Sequence, residues 1–120
     1  MDVIKTDKRL MEIYDEWEDK IANDEWYFSN AFESITNGMS AEEAYNYIPS
    51  VIDLMLKLDD DFLLGETIYF LIGIYNIADT TEIHPYLENN WFVLTQHLNN
   101  YQESNATPFK ELKMQLRIKD

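Results

Sequence analysis

Apolar residues return every three or four positions along most of this chain, which is the period of an α-helix and not of a strand. Leu10, Ile13, Tyr14, Trp17 and Ile21 fall on one face of a first helix. Glu12, Asp15, Glu16, Glu18 and Asp19 fall on the opposite, wet face. Asn23 or Asp24 is placed to cap a second helix, with Tyr27, Phe28, Ala31, Phe32 and Ile35 as its apolar side and Gly38 as a left-handed stop. Ser40-Ala41-Glu42-Glu43 has the form of a capping box and opens a short third helix through Tyr47. Pro49 lacks an amide proton and disfavours helical geometry at Ile48, so the helix is expected to kink or restart there before Val51, Ile52, Leu54, Met55 and Leu58.

The run Asp59-Asp60-Asp61 suits the positive end of a following helix. That helix, Asp61 to Ala78, is the most apolar in the chain and is expected at the centre of the core, with Leu71 and Ile72 inside. Its uncharged stretch, Thr67 to Ala78, is twelve residues, too short to span a bilayer. A loop over 79–83 leads to Pro85, a first-turn proline, and to a long helix ending near Tyr101 with Leu87, Trp91, Leu94 and Leu98 on its stripe. The segment 108–119 carries two patterns. Phe109, Leu112 and Leu116 fit a helix, whereas Leu112, Met114, Leu116 and Ile118 alternate like a strand. Helix is favoured because no other segment offers a strand to pair with. The fold class expected is all-α, a compact bundle of about six helices forming a single domain over 1–120.

Charge restricts the function. The formal net charge is −14, and sixteen of the twenty-three acidic residues lie before Phe62 against five basic ones, so the first half carries −11. With 46% hydrophobic and 14% aromatic residues, this acid is displayed on a folded body, not on a disordered tail. Such a surface repels nucleic acid and anionic membranes and attracts basic proteins. The last thirteen residues are net basic, through Lys110, Lys113, Arg117 and Lys119. Without cysteine there is no disulfide framework and no thiolate chemistry, which fits a cytoplasmic location; the N-terminus lacks the apolar core of a secretory signal.

No catalytic, cofactor-binding or metal site is expected. Glu-x-x-His, needed for a carboxylate-bridged metal bundle, fails at both histidines, because Thr81 precedes His84 and Leu94 precedes His97 at that spacing. The aspartate run lacks calcium-loop spacing and reads as a helix cap. Three glycines cannot build a phosphate-cradling loop, and no nucleophile motif is present. Trp26, Tyr27 and Phe28 are consecutive and cannot all face inward on a helix, and Asp24 and Glu25 flank them. An exposed aromatic in an acidic surround has the character of an interface anchor facing a basic partner. The expected partner-binding residues are therefore Asp15, Glu16, Asp19, Asp24, Glu25 and Trp26, with Glu82, Tyr86 and Glu88 as the next surface.

A long apolar helix, then Asp79-Thr80-Thr81-Glu82-Ile83-His84-Pro85, then a helix bearing Asn90-Trp91, resembles a segment of small helical immunity proteins from bacterial polymorphic toxin systems. The likeness covers about a quarter of the chain, Leu63 to Trp91. It implies antiparallel helical pairs like HEAT repeats, and a non-enzymatic antidote that occludes the active site or substrate groove of a cognate toxin, often a basic nuclease. The residues themselves also leave open an acidic mimic of nucleic acid that inhibits or regulates another DNA- or RNA-binding protein.

Overall fold

The computed structural model describes residues 11–80, 82–101 and 106–118, and all regular structure among them is helical. Besides a helical stretch over 11–14, the described residues form six helices: α1 (Trp17–Asn23), α2 (Tyr27–Thr36), α3 (Ala41–Lys57), α4 (Asp61–Ala78), α5 (Pro85–Asn99) and α6 (Ala106–Gln115). The chain divides into two compact units, one up to Met39 and one from Ser40.

In the first unit the apolar stripe is cut in two. Residues 11–14 are helical, Asp15 and Glu16 turn, and α1 starts afresh at Trp17. Glu16 sits at φ 51°, in the left-handed region that a residue with a Cβ enters at a cost. The expected continuous first helix therefore does not form. Glu12–Glu16 and Asp15–Asp19 would be like-charge i,i+4 pairs on it, with further repulsion at i,i+3. Aromatic contacts gather the pieces: Tyr14 meets Phe28 and Phe32 at ring centroid distances of 6.0 and 6.4 Å, and Trp17 meets Phe28 at 6.3 Å. The Tyr27 hydroxyl donates to the Ile13 carbonyl at 2.7 Å, tying the 11–14 turn to α2. Gly38 ends the unit at φ 80°, as a left-handed stop requires.

The second unit opens with the capping box. The Glu43 amide donates to Ser40 Oγ and the Ser40 amide to Glu43 Oε1, each at 3.1 Å. Pro49 does not restart the helix; α3 runs through it without interruption. An interior proline costs about 3 kcal/mol. Around it Tyr47, Ile48, Val51 and Ile52 are wholly buried, and each large apolar side chain contributes about 1.5–3 kcal/mol, so burial outweighs the local penalty. Asp60 caps α4 by accepting the Leu63 amide at 3.0 Å. Nine residues of α4 are buried, among them Leu71, while Ile72 is only half-buried.

Chain directions follow from a few contacts. α3 and α4 pack through a three-residue connection, and His84 beyond the end of α4 stacks on Tyr45 near the start of α3, so this pair is antiparallel. Tyr86 bonds Asp53 and His97 bonds Leu58, so α5 runs parallel to α3. Gln115 bonds Asn76 while Glu111 lies near Tyr69, so α6 runs parallel to α4. α5 and α6 therefore run in opposite directions, and Trp91 of α5 meets Phe109 of α6 at a ring centroid distance of 5.4 Å. α4 has the length and apolar composition a membrane span requires, over 61–78 and not merely 67–78, yet 56% of it is buried, as in a core helix. The 106–115 segment is helix: Pro108, Phe109, Leu112 and Leu116 are buried at helical spacing and Met114 is exposed. Arg117 at φ 58° closes it, with the Ile118 amide reaching back to the Lys113 carbonyl at 2.8 Å.

Candidate partner-binding surface

All six residues expected to meet a partner are exposed in the first unit. The turn before α1 carries Asp15 and Glu16, the first turn of α1 carries Asp19, and the turn after it carries Asp24, Glu25 and Trp26. Seven helical residues span about 10 Å, so the two acidic turns flank the short helix as a ridge. α1 itself buries no residue; Trp17 and Ile21 are half-buried, and Glu18 and Asp19 face solvent.

Local chemistry fixes the far end of that ridge. Asp24, expected as a cap, instead makes an Asx turn: its Oδ1 accepts the Trp26 amide and its carbonyl accepts the Tyr27 amide, both at 3.0 Å. α2 then begins at Tyr27 without a side-chain cap. This turn holds Trp26 outward with 64% of its surface exposed, while Tyr27 is half-buried and Phe28 is buried. Residues 11–39 hold eight acidic side chains and one basic one, Lys20. Lys20 is already occupied, with its Nζ donating to the Glu12 carbonyl at 3.3 Å and lying 5.7 Å from the Tyr27 ring centroid.

The reserve surface is different in kind. Glu82 and Glu88 are exposed, but Tyr86 is half-buried and its hydroxyl donates to Asp53. Tyr86 belongs to a polar junction that sequence spacing did not reveal, because its members come from three helices and a loop. The His84 amide donates to the Tyr75 hydroxyl at 3.0 Å, and His84 Nδ1 accepts the Tyr86 amide at 3.0 Å as the N-cap of α5. Burial pushes the His84 imidazole below its usual pKa, against an upward pull from Glu82. The bond to Asp53 raises the Tyr86 phenol, and burial raises Tyr75. In the 79–85 loop, Thr80 Oγ1 accepts the Glu82 amide at 3.1 Å, so the stretch carrying the family likeness has a structural turn within it; Thr81 lies outside the described residues.

His97 is engaged as well, its Nε2 donating to the Leu58 carbonyl at 2.6 Å. Among the described residues no three histidine or carboxylate side chains are grouped to hold a metal ion. Phe92 and Val93, passed over in the sequence pattern, stand out from α5 with Phe92 71% exposed. No protein-family model, curated protein or solved structure matches the chain.

Proposed function

We propose that this chain acts by binding, as an immunity protein that neutralises a cognate bacterial toxin with a basic surface, such as a nuclease, by covering its active site or substrate groove. The observation that carries the reading is the acidic ridge of the first unit, with Asp15, Glu16, Asp19, Asp24 and Glu25 all exposed and Trp26 held outward at its end. Fields of this sign speed the approach of a basic protein and reject anionic competitors. A buried Trp then slows release.

Co-purification with the product of the adjacent upstream gene, followed by stopped-flow kinetics, tests this. Reversing charge at Asp15, Glu16 and Asp19 should slow association and flatten its salt dependence. Trp26→Ala should chiefly speed dissociation. A complex whose rates ignore all four changes would defeat the reading. Capture instead of a DNA- or RNA-binding regulator that nucleic acid displaces would reassign the ridge to nucleic-acid mimicry.

A further inference from the structure

Beside the ridge, and wholly within the first unit, an open groove of about 240 Å³ runs between the 11–14 turn and α2. Its lining is Glu12, Ile13, Tyr27, Ala31, Ser34 and Ile35. An apolar cavity of about 150 Å³ accommodates a benzene molecule, so this groove has room for one long side chain. Ile13 and Ile35 are buried and Ala31 is half-buried, giving apolar walls, while Glu12 and Ser34 are exposed and put polar groups at the rim. The Tyr27–Ile13 hydrogen bond fixes the two walls relative to each other. Hence the groove exists before any partner arrives.

We propose that this groove receives an arginine side chain of the basic partner, with its methylene stem along Ile13, Ala31 and Ile35 and its guanidinium against Glu12. The inference rests on the binding reading above and assigns that surface a specific pocket. Charge complementarity selects a cation, since residues 11–39 carry eight acidic groups against the single, already tethered Lys20. Shape and polarity select a long stem with a polar head, which is how basic side chains bury themselves. Arginine is chosen over lysine because its flat guanidinium is less strongly hydrated and pairs with a carboxylate through two parallel hydrogen bonds. The Lys20 ammonium lies beside the Tyr27 ring and the Glu12 carbonyl, both on the groove's lining, so an incoming guanidinium competes with it for this edge.

The test is methyl NMR of the full chain titrated with hexa-arginine and hexa-lysine peptides. Saturable shifts at the Ile13, Ala31 and Ile35 methyls are expected with hexa-arginine, with affinity about fivefold above hexa-lysine. Ala31→Met, which fills the groove, should abolish the localised shifts. Glu12→Gln, which leaves the walls intact, should erase the preference for arginine. Charge reversal at Asp15 and Glu16 should weaken both peptides alike. Salt-sensitive binding that leaves those methyls unmoved, or that Ala31→Met does not alter, overturns the groove and spares the ridge. Failure of both peptides to bind overturns both.

Discussion

His84 caps α5 with an unprotonated Nδ1, so a proton arriving there would set a donor against the Tyr86 amide. Its folded pKa is lowered by burial, so the unfolded chain takes up that proton first as the pH falls. Stability tied to the neutral ring is complete above about pH 6.5 and declines as the pH drops through the lower, folded value. His84→Asn keeps an acceptor at the cap but cannot titrate. The parent's melting temperature should therefore fall further than that of His84→Asn as the solution is taken from pH 7.5 to pH 5; equal losses would show that the cap does not titrate. Asp79 offers a second residue-scale case. It ends α4 in the left-handed region at φ 57°, and it puts a carboxylate at the negative end of the helix. Asp79→Gly should add on the order of 1 kcal/mol in urea unfolding, whereas Asp79→Ala should not. Neither site was visible as such in the sequence: His84 read as a residue before a proline and Asp79 as a loop, because cap geometry depends on backbone angles that residue types only bias.

At the scale of elements, α4 shows what periodicity resolves and what it leaves open. Its central burial is legible in the uninterrupted apolar composition, and Leu71 is indeed inaccessible. Ile72 is not, because a helix apolar all round does not say which side its neighbours will cover. Leu71→Ala should cost about 2–5 kcal/mol of unfolding free energy and Ile72→Ala markedly less. Equal losses would mean that α4 is covered more evenly than its contacts with α3 and α6 indicate. The two departures from the sequence reading, the cut first helix and the unbroken α3, have opposite causes. In the first, a turn with Glu16 in the left-handed region cuts a good apolar stripe where like charges crowd; in the second, burial around Pro49 carries the helix through a poor local residue. Single-residue propensities cannot rank these, since both outcomes depend on what the neighbouring elements bury. The ridge was more legible, because exposure of acidic side chains follows directly from charge. The groove was not, because its lining comes from two segments, 12–13 and 27–35, that only tertiary contact such as the Tyr27–Ile13 hydrogen bond places side by side.

For the molecule as a whole, a net charge of −14 sets a self-repulsion that the folded state concentrates and the unfolded chain disperses. Raising salt from low ionic strength to about 0.5 M shortens the Debye length well below the spacing of most surface charges. The melting temperature should rise over that range while association with a basic partner slows. A salt-independent melting temperature would mean that the acidic groups are compensated within the fold. Trp26 allows the same field to be read optically. It is the most exposed of the three tryptophans, since Trp17 and Trp91 are half-buried. Its indole projects from the turn that carries Asp24 and Glu25, so a cationic collisional quencher such as caesium should reach it far more often than iodide does. The ratio of the two quenching constants then measures the local potential at the ridge without any label, and its collapse on complex formation would report the moment a partner covers that spot.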